Sequence, residues 1–427
     1  EPMTPEAKDQ SPAADPAEVA RLLKSHDDTV QQPPNWPMQG GGPDRAGLAG
    51  TTLKTPLEAA WKFNTHGRVV TSAAIVDGIV YSGSESGTIV AVDEKRGQKL
   101  WQFDTSQPIR CSPAVAGGVV YCGSDSGILH ALDARTGKPL WQFATGGAIQ
   151  ASPAIVGGVI LFGANDHNLY ALDRRTGRKL WNFRTSRSFI QAPPVVHGDH
   201  VFAAGWSDWV WCLDAKTGKP VWKSFIPVSI EAVAWYRDQL WVRSPYFVVR
   251  LDPADGSWQR IAETSYGYGG MAFVGDRLFQ SGVLGQYGTL GATSVALNGE
   301  TSPPPEQVAP TLKGVKMLTP ATLRNPNLAP AEVSFRARMS VGMVAMQGSP
   351  ELASMGTPLS LGDKLCFATL HGKVILTDLD GRPLWSHDLG APSHAPPVAV
   401  NGLLVVGCDD GYVYAFRSKP DPEQEAK

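Results

Sequence analysis

Two histidines have the residue type and the spacing to bind a metal ion. His197 and His200 flank Gly198 and Asp199, which have the composition of a two-residue hairpin turn. Imidazoles placed across such a turn could together bind zinc or copper. A structural zinc site needs more ligands than two, so a solvated hairpin is the interpretation that the pattern favours.

Three methionines form a second candidate metal site. Met339, Met343 and Met346 are separated by four and three residues, the spacing of one face of a helix. Thioether sulfurs bind Cu(I) in an oxidising compartment. Packing against a core is the commoner use of methionine, and we favour it. A periplasmic protein that handles a metal or haem stays open as an alternative function.

The five cysteines carry no metal-binding or haem-attachment signature. They stand at positions 111, 122, 212, 366 and 408, without a CxxC or CxxCH spacing. Cysteines scattered over predicted strands in this way are typically small buried hydrophobic residues. Cys111 and Cys122 fall on strands that we expect to pair, so one disulfide bridge between them stays open.

Charge and hydrophobicity exclude two classes of protein. The formal net charge is −2, so no general attraction to nucleic acid is expected. No apolar run approaches the roughly 18 residues of a transmembrane helix. The motifs assemble neither a nucleophile with its base nor a phosphate-binding loop, so we predict no catalytic residues. The sequence opens at Glu1, and we expect a periplasmic or otherwise extracytoplasmic protein whose signal peptide has been removed.

The elements that position these residues come from an internal repeat. Around Gly137, a strand ending in Asp133 is followed by a turn and by a second strand that carries Trp141. The pattern recurs at a spacing of about 40 residues. Its glycines are Gly97, Gly137, Gly177, Gly218 and Gly381, and its tryptophans are Trp61, Trp101, Trp141, Trp181, Trp222 and Trp385. A glycine permits the tight turn and an indole fills the gap between neighbouring sheets, so both have a structural role.

Each repeat predicts four short strands joined by glycine turns, the pattern of one β-propeller blade. Seven such units follow one another, and an eighth is divided between the two ends of the chain. The segment 57–63 would supply the strand that the C-terminal unit lacks, which closes the ring without an unpaired edge. The predicted fold is an all-β, eight-bladed propeller of four-stranded antiparallel blades. Seven blades is the alternative if the degenerate unit at 251–258 is misread.

The propeller is predicted over residues 36–417, with Trp36 as the anchor of a glycine-rich stretch at its start. Residues 1–35 are predicted to be a linker with a short helix at 15–24, capped by Asp15 and with Pro16 at its first position. Residues 301–350 are proline-rich and are predicted as an insertion within the seventh blade. Residues 418–427 are predicted as a flexible tail.

The repeat resembles the tryptophan-docking motif of pyrroloquinoline-quinone-type propellers, Ala-x-Asp-x-x-Thr-Gly-x-x-x-Trp. Ala131, Asp133, Thr136, Gly137 and Trp141 match every position. The resemblance covers residues 36–417 and implies the propeller fold. One branch of this family contains quinoprotein dehydrogenases, which bind the quinone with calcium or a lanthanide on the propeller axis. The other contains cofactor-free scaffolds, including a periplasmic lipoprotein of the outer-membrane β-barrel assembly machinery.

The chain is more similar to the cofactor-free branch. It is short, and it lacks the vicinal cysteine pair that alcohol-oxidising quinoproteins carry against the cofactor. It differs from the assembly lipoprotein in having no lipid-accepting N-terminal cysteine and in the insertion at 301–350. The resemblance implies a non-catalytic extracytoplasmic scaffold that binds other envelope proteins without a cofactor. The alternative is an oxidoreductase with pyrroloquinoline quinone and calcium at the axis.

The first strand of each blade is expected to line the central channel. Alignment of the repeats on the proline of Ser112-Pro113 gives one residue per blade at the channel mouth. These residues are Thr71, Arg110, Gln150, Gln191, Glu231, Tyr268, Met355 and His394. Such a ring could hold a polar ligand or the tip of a peptide, and in the quinoprotein branch cofactor contacts come from the same region. The polar lining of a water-filled channel is the interpretation that we favour.

Two tryptophans are the candidates for a partner-binding surface. Trp206 and Trp209 fall in the predicted turn between the second and third strands, where other blades carry serine, aspartate and glycine. Large aromatic residues in an exposed turn favour contact with a partner protein, and local packing is the alternative. Acidic turn residues recur on one rim and are interpreted as turn formers, not as calcium ligands: Glu85, Asp125, Asp166, Asp409 and Asp410.

Overall fold

The computed structural model describes residues 13–25, 35–185, 189–205, 208–245, 247–263, 270–281, 292–297, 343–345 and 356–418. Within these residues it contains one α-helix and 32 β-strands, arranged in four-stranded antiparallel sheets. This confirms the all-β propeller of four-stranded blades that the repeat predicted. Among the same residues, no helix is long and apolar enough to span a membrane.

Eight sheets are formed by the described residues, and in seven of them the strand order follows the chain. The first sheet consists of β2 (Ala74–Val76), β3 (Ile79–Gly83), β4 (Thr88–Asp93) and β5 (Lys99–Asp104). The second consists of β6 (Ala114–Ala116), β7 (Val119–Gly123), β8 (Ile128–Asp133) and β9 (Pro139–Ala144). The third consists of β10 (Ala154–Val156), β11 (Val159–Gly163), β12 (Asn168–Asp173) and β13 (Lys179–Arg184). The fourth consists of β14 (Val195–His197), β15 (His200–Ala204), β16 (Trp209–Asp214) and β17 (Pro220–Phe225).

The next three sheets follow the same scheme. The fifth consists of β18 (Ala232–Tyr236), β19 (Gln239–Arg243), β20 (Phe247–Leu251) and β21 (Trp258–Glu263). The sixth consists of β22 (Met271–Val274), β23 (Arg277–Ser281), β24 (Ala292–Ala296) and β25 (Met343–Ala345). The seventh is β26 (Leu359–Ser360), β27 (Lys364–Ala368), β28 (Lys373–Asp378) and β29 (Pro383–Asp388).

The eighth sheet joins the two ends of the chain. It consists of β30 (Val398–Val400), β31 (Leu403–Gly407), β32 (Tyr412–Ser418) and β1 (Leu57–Asn64). β1 pairs antiparallel with β32, from Leu57 opposite Ser418 to Asn64 opposite Tyr412. The fourth strand of this sheet therefore comes from the N-terminal part of the chain.

Burial within a sheet explains which residues form each strand. The third strand of the second sheet, β8, is buried along its middle on both faces, because neighbouring sheets cover it from both sides. The fourth strand, β9, is largely exposed and alternates with partly buried residues that include Trp141. Apolar runs therefore mark the inner strands, and the spaced aromatic residues mark the outer one.

The long excursion lies in a different sheet from the one predicted. β25 pairs with β24, so the residues between these strands connect the third and fourth strands of the sixth sheet, not of the seventh. β25 is only three residues long and contains no tryptophan, so the sequence carries no repeat signal for it. Met343 lies in β25, which contradicts the helical face predicted for the three methionines. Met339 and Met346 lie outside the described residues.

The N-terminal helix forms as predicted, but it is not part of a free linker. α1 (Pro16–Lys24) begins at Asp15, whose carboxylate accepts a hydrogen bond from the main-chain N–H of Ala17. The N–H of Ala14 donates to the carbonyl of Leu180, which extends the edge of β13. Leu180 is consequently buried, whereas Leu140, at the equivalent place on β9, is 53% exposed.

The glycine-rich stretch after Trp36 crosses the inner ends of the sheets. We call residues 36–51 the axial segment. Trp36 exchanges two main-chain hydrogen bonds with Ile75 of the first sheet, as its predicted anchoring role requires. Further hydrogen bonds join the segment to Val115, Val196, Trp235, Ser360 and Gly402, which belong to the second, fourth, fifth, seventh and eighth sheets. The segment therefore forms one wall of the central channel.

Candidate functional site

The repeated tryptophans lie between neighbouring sheets. A Cβ added to the turn glycine would lie 2.5 Å from the nearest ring atom at Gly97, Gly218 and Gly256, where the rings belong to Trp61, Trp181 and Trp222. Gly137 and Gly177 stand equally close to Trp101 and Trp141. Gly381 has the same left-handed backbone, with φ of 88°, although β25 of the preceding sheet has no tryptophan. Trp385 instead donates from Nε1 to the carbonyl of Leu57 on β1.

Most of the predicted channel residues lie in the loops before the first strands, not in the strands themselves. Arg110, Gln150, Gln191, Glu231 and His394 all immediately precede a first strand or its entry turn. Thr71 is buried, and its hydroxyl donates to the carbonyl of Gly83. Tyr268 and Met355 lie outside the described residues.

The residue at the Arg110 position of the first sheet is Val70, not Thr71. Val69 packs against Gly407 as Ile109 packs against Gly83, which places the following residues, Val70 and Arg110, at equivalent positions. The alignment slipped at Ala73, which stands where the loops before the second, third and fourth sheets have Pro113, Pro153 and Pro194.

The mouth of the channel is held by a continuous polar network. His394 Nδ1 lies 2.9 Å from the carboxylate of Asp409, which also accepts from Arg68 at 2.8 Å. Arg68 reaches Glu85, and Glu85 accepts from Arg110 at 2.9 Å. The network continues through Asp125, which pairs with Arg110, to Gln150 and Gln191.

This network spans the five loops that precede the first strands of the eighth, first, second, third and fourth sheets, and three turns, each of which supplies one of the predicted acidic turn residues. These carboxylates are mostly covered, whereas Arg68 and Arg110 are more than two-fifths exposed. Each carboxylate is already neutralised by a cation, so the mouth presents a fixed pattern of both signs instead of a calcium site. Arg68 lies in no position that the repeat alignment marked.

A buried arginine of the axial segment occupies the inner end of the channel. Arg45 is fully enclosed and donates hydrogen bonds to the main-chain carbonyls of Gln39, Ser152, Pro153 and Pro194, at 2.6 to 3.4 Å. Burial lowers the pKa of its guanidinium to about 9. Arg45 therefore ties the axial segment to the third and fourth sheets.

A cavity of about 290 Å³ lies between the axial segment and the channel mouth. We call it the axial cavity. Its walls include Gln39 and Arg45 from the axial segment, Glu231 and Ala232 at the fifth sheet, and His394 at the eighth. Two of the predicted mouth residues, Glu231 and His394, therefore face one common space.

Glu231 forms a buried ion pair at the wall of this cavity. Its Oε2 accepts from Nη1 of Arg243 at 2.8 Å, and the two side chains are 8% and 1% exposed. Its second oxygen, Oε1, is buried without a hydrogen-bond partner among the described residues. Burial raises the pKa of Glu231 to about 7, against the opposing attraction of Arg243.

Stability is expected to fall with rising pH because of Glu231. The pKa is about 7 in the folded protein, against an ordinary value of 4.5. Between these values the folded state keeps a proton that the unfolded state has lost, so the free energy of unfolding decreases as pH rises through this window, by at most about 1.4 kcal/mol per pH unit. Glu231→Gln removes this dependence. Urea unfolding of both proteins at pH 5, 6 and 7.5 measures it, and parallel pH curves would contradict the assignment.

Two of the candidate metal ligands come together, but without further ligands beside them among the described residues. His197 and His200 form a cross-strand pair between β14 and β15, as predicted. The ring of His197 stacks on Trp235 of the next sheet, with centroids 3.9 Å apart. Within the described residues, no group of three or more His, Cys, Asp or Glu side chains could hold a metal ion.

All five cysteines are buried and free. Cys111 and Cys122 approach to 4.0 Å between their sulfurs, about twice the length of a disulfide bond.

The side chains of the axial cavity do not fit a quinone with calcium. Calcium takes six to eight oxygen ligands. Among the lining side chains, the carboxylate of Glu231 is already bound to Arg243, the guanidinium of Arg45 is bound to main-chain carbonyls, and Gln39 and Thr357 add one neutral oxygen each. The axial segment also occupies part of the space on the axis.

An aromatic surface lies on the third and fourth strands of the fourth and fifth sheets. Trp209 is the first residue of β16, which corrects its predicted place in a turn, and its ring lies 5.2 Å from that of Phe225 on β17. Trp258 on β21 is 39% exposed and Phe225 is 48% exposed. Trp258 donates from Nε1 to the carbonyl of Phe225 and stacks on Phe247. We call these four residues the aromatic patch. Trp206 lies outside the described residues.

The repeats and the fold together define the class of protein: the chain is an all-β propeller whose repeats are of the pyrroloquinoline-quinone-like type. Residues 55–262 match the family model described as outer membrane protein assembly factor BamB. No curated protein sequence matches the chain significantly.

Solved structures of low sequence identity share the fold. BamB from Moraxella catarrhalis is 17% identical, with a TM-score of 0.63, over 86% of this chain and 99% of that one. Quinohemoprotein alcohol dehydrogenase from Comamonas testosteroni is 16% identical, with a TM-score of 0.67, over 95% and 85% of the two chains. The computationally designed protein Ika8 is 15% identical, with a TM-score of 0.63, over 84% and 99%. The same fold therefore occurs in an assembly factor, an alcohol dehydrogenase and a designed protein.

Proposed function

We propose that this protein is a non-catalytic extracytoplasmic scaffold that binds another envelope protein through the aromatic patch. The observation that carries the proposal is the exposure of Phe225 and Trp258 side by side, because Phe225 is 48% and Trp258 is 39% exposed. Exposed aromatic residues in contact with one another are the usual anchors of protein interfaces. The match of residues 55–262 to an outer-membrane assembly factor supports an envelope partner.

Strand register shows how far the aromatic patch departs from the repeat. Trp209 pairs with Phe225 at the open end of the outer hairpin. The equivalent pairs in the first, third and seventh sheets are Thr88 with Asp104, Asn168 with Arg184, and Lys373 with Asp388, and the second sheet has the small apolar pair of Ile128 with Ala144. Polar pairs suit a solvated rim, so two aromatic residues at this place favour contact with a partner.

Cations border the aromatic patch. Lys223 lies 4.7 Å from the ring centre of Trp209, and Arg260 lies 4.4 Å from that of Phe247. These contacts hold the rings in place and add positive charge at the edge of the apolar surface. A partner segment with apolar side chains flanked by carboxylates complements this arrangement.

The scaffold itself is proposed to be a closed ring of eight blades. The eight sheets among the described residues and the pairing of β1 with β32 support this count. In a closed ring the sheet edges are short and protected, and the blades together give the rigid platform that a scaffold needs.

The aromatic patch can be tested with Phe225→Asp. A charge at the centre of the interface is expected to weaken binding to purified components of the outer-membrane protein assembly machinery at least tenfold, measured by surface plasmon resonance. Leu140→Asp is the matched control, because Leu140 is similarly exposed on an outer strand but stands away from the patch. Equal affinities for Phe225→Asp and the parent protein, or equal losses in both variants, would reject the patch as the binding surface.

The quinoprotein alternative has a separate test. Purified protein supplied with pyrroloquinoline quinone and calcium is expected to show no dye-linked alcohol oxidation, because the axial cavity lacks the oxygen ligands that calcium requires. Stoichiometric quinone binding with turnover would overturn the non-catalytic scaffold.

A further inference from the structure

We propose that the groove beside β13 is a self-association site, in which the N-terminal segment of a second copy of this chain takes the place of its own. We call residues 13–25 the N-terminal arm, and we call the surface of the third and fourth sheets that holds it the flank groove. This surface is separate from the aromatic patch, and its role does not depend on the proposed scaffold function. The arm and the groove are complementary surfaces carried by one chain.

The arm is held by main-chain hydrogen bonds at both of its ends and by apolar contact between them. The N–H of Ala14 donates to the carbonyl of Leu180 at 2.7 Å, and the N–H of Gly158 donates to the carbonyl of Leu22 at 2.7 Å. Val19, in the middle of α1, is fully buried in a hydrophobic cluster that the third and fourth sheets share. The flank groove therefore fixes both the direction and the register of the arm.

The arm explains why one outer strand differs from the others. The apolar residue before the repeated tryptophan is buried in β13, where it is Leu180. In four other sheets the residue at this place is between 44% and 53% exposed: Leu100, Leu140, Val221 and Leu384. At the rim of the flank groove, Arg178 pairs with Glu18 of the arm. The groove therefore joins an apolar floor to a cation that matches the acidic first turn of α1.

The position of the flank groove allows a second copy to supply the arm. β13 is the outermost strand of the third sheet, so the groove lies on the flank of the propeller. α1 has nine residues, which are too few for a stable helix in water without packing against a surface. A released arm therefore becomes helical again only in a groove, either its own or that of another copy. Exchange between copies keeps the same contacts and is a low-cost route to a dimer.

Two full-length variants separate the arm from the groove. Val19→Asp puts a charge on the buried face of α1, so the arm is expected to leave the groove vacant. Gly157→Asn is expected to block the groove, because a Cβ at this position would lie 2.4 Å from the carbonyl oxygen of Leu22. Asparagine suits the turn, since Asn401 has φ of 52° at the corresponding place in the eighth sheet and Gly157 has φ of 54°.

A mixture of the two variants tests the exchange. Val19→Asp has a vacant groove and Gly157→Asn has a free arm, so together they are expected to form a one-to-one heterodimer. Each variant alone is expected to stay monomeric. Size-exclusion chromatography with light scattering measures the mass. A mixture that stays monomeric, or a single variant that dimerises to the same extent as the mixture, would overturn the proposal.

A synthetic peptide of residues 13–25 gives a second measurement. By fluorescence anisotropy it is expected to bind Val19→Asp at least about tenfold more tightly than the wild-type protein, whose own arm competes for the groove. Gly157→Asn is expected not to bind it. Equal affinities for the three proteins, or no binding to a folded Val19→Asp, would reject the groove as the site. Circular dichroism and the melting temperature establish that both variants are folded.

Discussion

Trp181→Ala is expected to lower the free energy of unfolding by about 3–5 kcal/mol, as loss of a buried tryptophan does in other proteins. The ring is 2% exposed and lies on Gly218 of the next sheet, while its Nε1 donates to the carbonyl of Ala215 at 3.0 Å. The substitution removes a large apolar surface from the interface between the third and fourth sheets and leaves that carbonyl without its donor. Urea unfolding followed by circular dichroism measures the change.

Trp258→Ala is the matched control for this prediction. Trp258 is 39% exposed, and its Nε1 donates a hydrogen bond to the carbonyl of Phe225 in the preceding sheet. Its ring does not cover a glycine of the following sheet as the ring of Trp181 does. Its removal is expected to cost clearly less than the removal of Trp181. Similar losses in the two variants would contradict a structural role for the repeated tryptophans between neighbouring sheets.

Arg45→Ala is expected to destabilise the protein by about 3–5 kcal/mol, because buried main-chain carbonyls lose their donors. Ser152, Pro153 and Pro194 would each retain an unpaired carbonyl next to the axial cavity. The axial segment would also lose its attachment to the third and fourth sheets. Limited proteolysis near residue 45 is expected to accelerate together with the fall in stability.

Arg68→Ala provides the comparison for a surface arginine. Arg68 is 47% exposed and pairs with Glu85 and Asp409, so its loss is expected to cost only about 0–1 kcal/mol. Arg45→Lys keeps the charge but supplies fewer directed donors, and an intermediate loss is expected. If the Arg45→Ala variant were as stable as the Arg68→Ala variant, the axial segment would be held by its main-chain hydrogen bonds alone.

The strands could be predicted because their signals are local and repeated. The hairpin of His197 and His200 and the turn at Gly137 each need only neighbouring residues of suitable conformation. The position of Trp258 carries a further local signal. It follows Gly256 by two residues, whereas Trp141 follows Gly137 by four, so it begins its strand and cannot reach the next sheet in the same way.

The interior of the site could not be predicted because its contacts are remote and involve the main chain. Arg45 binds carbonyls that are 107 and 108 residues away in sequence, and a carbonyl is present whatever the side chain. Arg243 pairs with Glu231 at the open end of the hairpin of β18 and β19, but a single arginine in an apolar strand gives no indication of its partner. The slip at Thr71 has a simpler cause, since one missing proline shifted the alignment by one residue.

The pairing of β1 with β32 bears on the order in which the chain can assemble. A polypeptide made or exported from its N-terminus presents the axial segment and β1 first, yet Ser360, Gly402 and β32, their partners, emerge last. Trp36 and Trp61 can meet their contacts in the first sheet early. β1 therefore has an unpaired edge that is prone to aggregation until the chain has been synthesised as far as residue 418. Protection of this strand during synthesis is therefore a requirement of the architecture itself.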